Sequence, residues 1–401
     1  MVKQTAVWVS ACSMLGALCG CGSTDDNAPP EISGLSSSHE NGVAQLATAL
    51  LTVEATDPDG DELEFSWEAT LGAVAPGADS GTAVLTAPAD RGTTTVTVKV
   101  SDGNGGEATE AIDIGVLGWA VPASAGNVAS TISFNAVAFA GPDDGIAVGG
   151  DHENNVPTIY RYSNGVWTDE TAGTAGHMTA AVAVSPTDMW TGGGGGLAFH
   201  FDGNEWTQFT IPGGCIHGMD AITPTDIWVT PAEGQPYMRR YTGGMVNEWE
   251  QFTAPMTQGM NGVSMAGETD GWAVGNGGIA LRFNGTDWQR VETGTTAALK
   301  DVFMISPEDG WLVGGTGTLL HWDGAAWTAY ESPSAAGLNG VFALATDDVW
   351  VVGDAGTILH FDGVAWTQLP SPIQSDLTTV HFTSPSDGWI GGFDSALLHL
   401  E

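Results

Sequence analysis

The sequence predicts an all-β protein in which a β-sandwich is followed by a seven-bladed β-propeller closed by an N-terminal strand. Three observations predict it. Residues 31–116 hold short apolar alternations of period two, residues 117–401 hold a repeat of about 40 residues, and turn-forming glycine is abundant. Glycine supplies 57 of the 401 residues, about twice the usual ~7%, which indicates many tight turns.

The charge balance excludes one class of partner. The chain has 48 acidic residues against 9 lysines and arginines, for a formal net charge of −39. A nucleic-acid-binding surface needs Lys and Arg to neutralise phosphates, so we expect no DNA or RNA partner. Because 42% of the residues are hydrophobic, the acidity does not indicate a disordered chain.

The N-terminus has the pattern of an export signal. Lys3 precedes an apolar run at 5–18, which is shorter than the ~20 residues that span a bilayer. The run ends in Leu18-Cys19-Gly20-Cys21, which resembles the lipobox of bacterial lipoproteins. The resemblance implies a signal peptide at 1–20 and lipidation of Cys21. A plain secretory signal is the alternative.

Residues 21–30 read as a polar tether between the lipid and the folded body. Gly22 and Ser23, without Asp at the next position, favour the outer membrane by the sorting rule of well-studied Gram-negative bacteria. The expected location is therefore a membrane-anchored lipoprotein of the outer membrane, facing the periplasm or the surface. Once Cys12 and Cys19 leave with the signal, Cys215 is the remaining unmodified cysteine. We expect it to be a small buried residue, with no disulfide.

Residues 31–116 predict the sandwich. Runs such as 51–55, 63–67 and 96–100 alternate apolar and polar residues, and six or seven such strands fit two packed sheets. Asp57-Pro58-Asp59-Gly60-Asp61, Trp67 and the turn at 101–106 resemble the cadherin-like and PKD-like Ig modules of bacterial surface proteins. The resemblance implies an Ig-like domain with Trp67 as the core tryptophan of a central strand.

The acidic turns of this domain suggest a structural Ca²⁺ site. Carboxylates are the ligands Ca²⁺ prefers, and the candidates are Asp57, Asp59, Asp61 and Asp102. The same Asp-Pro-Asp-Gly segment also forms a tight turn without metal. No other cofactor is expected.

Residues 117–401 repeat an Asp-x-Trp step seven times, with Ile in place of Trp in the first copy. The aspartates are Asp144, Asp188, Asp226, Asp270, Asp309, Asp348 and Asp387. Each unit fits four short strands, which is the pattern of a propeller blade. A second Trp ends the fourth strand of every unit but the last. Residues 118–122 resemble that missing strand, so we expect them to complete the last blade and hide its edge.

These repeats resemble BNR or Asp-box propellers, and more closely the propellers of photosystem II assembly factors. The resemblance rests on Asp309-Gly310-Trp311 and on residues 361–366, and it implies the fold. The photosystem role is not expected here, because that family relies on a basic surface patch and residues 117–401 contain six basic residues.

A basic residue recurs in the third strand of each unit: Arg161, His200, Arg240, Arg282, His321, His360 and His399. A residue repeated in every blade most simply meets a need of every blade. We interpret the set as interblade ion pairs or hydrogen bonds with the repeated Asp, in preference to an anion or metal site.

Departures from the repeat are the candidate binding residues. Two long loops, at 150–157 and 231–237, interrupt otherwise tight connections, and with His177 and His217 they could form one polar rim. The candidate contacts are His152, Glu153, Asn154, Asn155, Glu233, Gln235 and Tyr237. The alternative is that these loops are solvated decoration.

The sequence favours a binding protein over an enzyme. It contains no Ser-His-Asp elbow, P-loop or clustered zinc ligands, and a sialidase-type arginine triad cannot be assembled. The expected function is a monomeric, non-catalytic, lipid-anchored scaffold that binds an envelope or extracellular protein or glycan. The alternative is a polysaccharide-active glycoside hydrolase or lyase built on the propeller.

Overall fold

The computed structural model describes residues 27–39, 42–129, 131–151, 156–171, 176–231, 237–246, 248–256 and 258–401. The described chain is built from β-strands, with short 3₁₀ segments at Ala123–Asn127, Gly194–Gly196, Asn276–Gly278 and Asp354–Gly356.

The N-terminal domain is a sandwich of two four-stranded sheets. Its strands are β1 (Glu31–Ser37), β2 (Val43–Ala44), β3 (Thr48–Thr56), β4 (Glu64–Ala69), β5 (Ala73–Pro76), β6 (Thr82–Thr86), β7 (Gly92–Ser101) and β8 (Glu107–Leu117). The sheet orders are β1-β3-β6-β5 and β2-β8-β7-β4. Alternate residues of both sheets, including Leu51, Leu85 and Val96, fill the space between them.

One expectation for this domain was wrong. Trp67 lies on β4, which is an edge strand of its sheet and not a central one. The indole is partly buried against the core clusters of the sandwich. A central strand has a neighbour on each side, whereas β4 pairs only with β7 among the strands that the structure describes. Trp67 therefore covers the side of the core.

The rest of the chain forms seven further four-stranded antiparallel sheets within the described residues. The strands are β9 (Trp119–Ala120), β10 (Ile132–Gly141), β11 (Asp144–Asp151), β12 (Val156–Ser163), β13 (Val166–Asp169), β14 (Met178–Ser185), β15 (Asp188–Gly193), β16 (Leu197–Phe201), β17 (Trp206–Thr210), β18 (Ile216–Thr223), β19 (Asp226–Pro231), β20 (Tyr237–Tyr241), β21 (Glu250–Thr253), β22 (Met260–Gly267), β23 (Asp270–Gly275), β24 (Ala280–Phe283), β25 (Trp288–Val291), β26 (Leu299–Ser306), β27 (Asp309–Gly314), β28 (Thr318–Trp322), β29 (Trp327–Ala329), β30 (Leu338–Ala345), β31 (Asp348–Gly353), β32 (Thr357–Phe361), β33 (Trp366–Gln368), β34 (Leu377–Ser384), β35 (Asp387–Gly392) and β36 (Leu397–Leu400).

Sheets one to six each take four consecutive strands, beginning with β10, β14, β18, β22, β26 and β30. Sheet seven has the order β34-β35-β36-β9, so its fourth strand comes from the segment before sheet one. The first strand of each sheet packs beside the first strand of the next, and β34 packs beside β10.

Tryptophans fill the spaces between neighbouring sheets. The Trp of a second strand meets the fourth-strand Trp of the following sheet, as in Trp311 with Trp366, whose ring centroids are 5.1 Å apart and nearly perpendicular. Between sheets six and seven the pair is Trp350 and Trp119 at 5.7 Å. Edge-to-face contact of large buried rings supplies both area and orientation, which explains the repeated tryptophans.

In six of the seven sheets a glycine lies where the second strand approaches the start of the first, and sheet three has Pro231 there. A Cβ on Gly353 would overlap the carbonyl oxygen of Gly337, and one on Gly392 would overlap that of Asp376. The repeat therefore keeps glycine at this place for close backbone approach.

Candidate functional site

The first strands of all seven sheets surround a central cavity of about 720 Å³. A volume of this size is typical of a ligand pocket. Two sets of equivalent side chains line it, and we name them the wall ring and the mouth ring.

The wall ring consists of the first-strand residues that pair with the repeated Trp or Ile of the second strand: Ala138, Val182, Asp220, Ser264, Phe303, Phe342 and His381. All seven line the cavity. Because the scaffold does not fix the residue type here, this ring carries the individual character of the channel.

The mouth ring lies nearer the starts of the same strands and contains Asn135, Thr179, His217, Asn261, Lys300, Asn339 and Thr378. Five members donate a side-chain hydrogen bond to a carbonyl of the next sheet. For example, Asn135 donates to Met178 at 2.7 Å, Asn339 to Leu377 at 2.9 Å and Thr378 to Phe134 at 2.6 Å. The mouth ring thus ties neighbouring sheets together at one end of the channel.

Deeper side chains make a second set of ties, to backbone N–H groups. Asp301 accepts from Val341 at 3.0 Å and from Val302 at 2.9 Å. Asp220 accepts from Met265 at 2.6 Å and from Ala221 at 2.8 Å. Burial raises the pKa of Asp220 and raises that of Asp301 to about 6, with a smaller contribution to the latter from the Asp220 charge.

A pair of cavity carboxyls with raised pKa values is what a glycosidase needs. Here, however, both oxygens of each carboxyl already accept a backbone hydrogen bond. The geometry therefore favours interblade ties over acid–base chemistry. Burial also lowers the pKa of His381, in the same wall, to about 4, so this imidazole is neutral at pH 7.

The repeated basic residues pair with the repeated aspartates. His200, His321, His360 and His399 place Nε2 within 2.7–3.0 Å of Asp188, Asp309, Asp348 and Asp387. Arg161, Arg240 and Arg282 contact Asp144, Asp226 and Asp270 at 3.4, 2.5 and 2.6 Å. None of these fourteen residues lines the central cavity, so they have a structural role. The expectation of interblade pairs was wrong, because each pair joins the second and third strands of one sheet, whose side chains lie side by side.

The rim predicted from the long loops falls largely outside the described residues. Six of its residues lie outside the described part of the chain: His152, Glu153, Asn154, Asn155, Glu233 and Gln235. The predicted lipidation site, Cys21, also lies outside it. Tyr237 is described: its ring lies under the Arg239 guanidinium at 4.8 Å, away from the central cavity. His217 lines the cavity, whereas His177 does not.

Apart from His217, the cavity residues were missed by sequence reasoning. A signal was present, because the second residue of each repeat unit is polar, in Leu299-Lys300, Leu338-Asn339 and Leu377-Thr378. Their convergence becomes visible when the seven first strands stand side by side. Cys215, expected to be buried, is partly exposed, and its Sγ accepts from the N–H of Gly195 at 3.3 Å.

The acidic turns of the sandwich bring three of the four predicted calcium ligands together. Oxygens of Asp57, Asp61 and Asp102 lie within 4.8 Å of one another. Asp59 instead accepts from the N–H of Ala28 at 2.7 Å. Oδ2 of Asp57 is buried without a hydrogen-bond partner among the described residues, which suits a cation ligand.

Comparison with known proteins supports the two-part architecture. Residues 27–115 match the family model described as Bacterial Ig domain, about a fifth of the chain. No curated protein matches the sequence. Among the described residues, no helix is long and apolar enough to cross a membrane.

Solved structures resemble the larger part of the chain. "YCF48 bound to D1 peptide" is 18% identical, with a TM-score of 0.58 over 71% of this chain and 94% of that chain. "YCF48 from Cyanidioschyzon merolae" is 17% identical, with a TM-score of 0.56 over 71% of this chain and 98% of that chain. The WD40 β-propeller domain of Doa1 is 8% identical, with a TM-score of 0.56 over 68% of this chain and 94% of that chain. At these identities the likeness shows the fold alone, a β-propeller. It follows the Ig-like domain matched at residues 27–115.

Proposed function

We propose that this chain is an exported, membrane-anchored lipoprotein whose seven-bladed propeller binds a protein partner at the cell envelope without catalysing a reaction. The Ig-like domain would act as a spacer between the lipid on Cys21 and the propeller. The carrying observation is the central cavity with its two rings of side chains.

The seven sheets are proposed to form a closed ring. Contact between β34 and β10 supports this, as do the bonds from Thr378 to Phe134 and from Val137 to Thr379. The pairing of β9 with β36 supports closure by the N-terminal strand. The pairing covers the edge of β36, which would otherwise be open to nonspecific pairing.

Binding is favoured over catalysis because the two cavity carboxyls with raised pKa values, Asp220 and Asp301, are already committed to backbone N–H groups. One solved relative in fold is described as bound to a peptide, which fits a protein ligand. A glycan ligand, and a glycoside hydrolase or lyase on the same scaffold, are the alternatives.

A substitution that narrows the channel tests the proposal. Val182 belongs to the wall ring, and two equivalent positions already hold phenylalanine. Val182→Phe should therefore fold while obstructing the cavity. Val364→Phe is the matched control, since Val364 is 88% exposed and outside the cavity.

Partners are first captured from envelope extract, then purified and titrated against each variant. We expect Val182→Phe to weaken binding by about tenfold or more, because the added ring would occupy space that a ligand in the channel needs, and about 1.4 kcal/mol of lost binding free energy is tenfold in affinity. Val364→Phe should leave binding unchanged. Equal binding by both variants would remove the channel from the proposal. Turnover on a glycan array would favour the hydrolase or lyase.

We also propose that Asp57, Asp61 and Asp102 hold a structural Ca²⁺ ion. The unpartnered Oδ2 of Asp57 supports this. The ion would supply charge neutralisation to three converging carboxylates, and the remaining ligands would be other oxygens.

A further inference from the structure

Lys300 breaks the pattern of the mouth ring. At five of the seven positions a short neutral side chain donates to a carbonyl of the next sheet. Lys300 occupies the same position in sheet five, lines the cavity and is exposed. No hydrogen bond or ion pair joins its ammonium to another residue within the described part of the chain.

The other basic side chains of residues 117–401 are engaged. Arg161, Arg240 and Arg282 pair with the repeated aspartates. Arg290 lies 3.6 Å from Glu292, and Arg239 stacks on Tyr237. Residues 117–401 contain 31 acidic and six basic side chains. A basic side chain without a partner is therefore unusual in this part of the chain.

The acidic groups near the mouth have partners of their own. Asp354 accepts from Asn339 at 2.9 Å, and Asp376 accepts from the N–H of Ala355 at 2.8 Å. Phe393 also lines the cavity and is 39% exposed. The mouth therefore offers a cation and an exposed aromatic ring within a rim of fixed carboxylates.

We propose that Lys300 binds a carboxylate of a peptide segment that enters the channel mouth, with an apolar side chain of that segment against Phe393. The inference rests on the proposed protein-binding function and specifies its ligand. The carboxylate is a single one, because a run of acidic residues would meet Asp354 and Asp376. The carboxylate would be bound by its short-range contact with Lys300. Long-range electrostatic attraction does not contribute, because the net negative charge of the domain repels anions.

The carboxylate can come from a chain terminus or from one Asp or Glu side chain. Three fluorescein-labelled pools of random heptapeptides separate these sources. The first has free C-termini and no acidic side chains, the second is amidated with one Glu, and the third is amidated without acidic residues. Binding of each pool to the purified protein is followed by fluorescence anisotropy.

We expect the first or second pool to bind about tenfold more tightly than the third, the usual effect of a hydrogen bond to a charged group. Lys300→Gln should abolish this advantage, and Lys300→Arg should keep it. Arg290→Gln, which removes one exposed charge elsewhere on the propeller, should leave it unchanged.

Equal binding of the three pools, no binding of any pool, or an advantage that survives Lys300→Gln would overturn the inference. The failure of this inference can be distinguished from a failure of the proposed function. If Val182→Phe blocks the captured envelope partner while Lys300→Gln does not, the binding function stands and Lys300 is not its carboxylate contact.

Discussion

At the scale of single residues, the basic residues repeated in the third strands, which we call the basic ring, show that two residue types can pair with the repeated Asp. Arginine serves in three sheets and histidine in four, always against the repeated Asp. In sheet three, Arg240 contacts Asp226 through two nitrogens, at 2.7 and 2.5 Å. Asp226 is nearly buried, with 9% of its side chain exposed, so it depends on this partner.

Arg240→Ala should destabilise the propeller by about 2 to 3 kcal/mol, because a nearly buried carboxylate loses its charged donor. Arg240→His should recover most of that loss, since four sheets already use histidine. The measurement is the urea midpoint of the propeller transition. An Arg240→His variant as unstable as Arg240→Ala would show that the two residues are not equivalent here.

Asp301 predicts a pH dependence of stability. Burial raises its pKa from the ordinary 3.8 to about 6, so folding favours the neutral carboxyl. Its contribution to the free energy of unfolding should be largest at low pH and should fall as the pH rises from about 4 through 6.

Asp301→Asn should remove that part of the pH dependence, measured as the difference in urea midpoint between variant and wild type across this interval. Asp220 faces the same wall and also has a raised pKa, so Asp220→Asn should flatten part of the remaining slope. A difference that stays constant with pH would contradict the prediction.

Residues such as Lys300 and Asp301 could not be identified from the sequence as readily as the basic ring. Arg240 and His360 recur at a fixed place, and recurrence signals a structural role. Lys300 and Asp301 are single departures inside a strand, and their surroundings come from other repeats about 40 residues away. Their meaning depends on neighbours that the linear pattern does not bring together.

At the scale of elements, β9 is the clearest case of a strand working far from its sequence neighbours. Trp119 is 5% exposed and contacts Trp350 and Phe382, each at 5.7 Å. Trp119 thus packs against sheet six in the same way that Trp366 packs against sheet five.

Trp119→Ala should lower the stability of the propeller by about 3 to 5 kcal/mol, the usual range for a buried tryptophan. Val121→Ala is the matched control, because Val121 is two residues away and 56% exposed. Thermal unfolding of the full chain compares them. Equal melting temperatures for the two variants would argue against a stabilising role of β9.

The acidic turns of the sandwich give a second prediction for elements. Adding CaCl₂ should raise the melting temperature of the Ig-like domain, because an ion bound by the folded state alone stabilises it. Asp61→Asn should reduce this rise, whereas Asp79→Asn, at an exposed acid outside the cluster, should not. A melting temperature unaffected by both CaCl₂ and EGTA would leave a metal-free turn.

The elements also show where sequence patterns lose information. Period-two alternation identified strands such as β3 and β7, but it does not say which strand lies at a sheet edge. That position depends on pairing between distant segments, and Trp67 was misplaced for this reason. The long loops stood out because they interrupt a repeat, yet the cavity is lined mostly by regular strand residues.

At the scale of the whole molecule, the N-terminal pattern predicts where the protein is held. Cys21→Ser should move the protein from the membrane fraction to the soluble fraction and abolish labelling by radioactive palmitate. Cys19→Ser is the matched control, since serine is common at that place in a lipobox. A Cys21→Ser protein that stays in the membrane fraction would contradict lipid anchoring.

The junction between the two domains has a mechanical consequence. Gly118 and Glu401 exchange backbone hydrogen bonds of 3.0 and 3.1 Å, and Arg91 of the sandwich lies 2.9 Å from the Glu401 carboxylate. Any tension between the sandwich and the propeller enters through Gly118 and therefore loads β9 first. A sustained pull would therefore first separate β9 from β36, the strand with which it pairs in sheet seven.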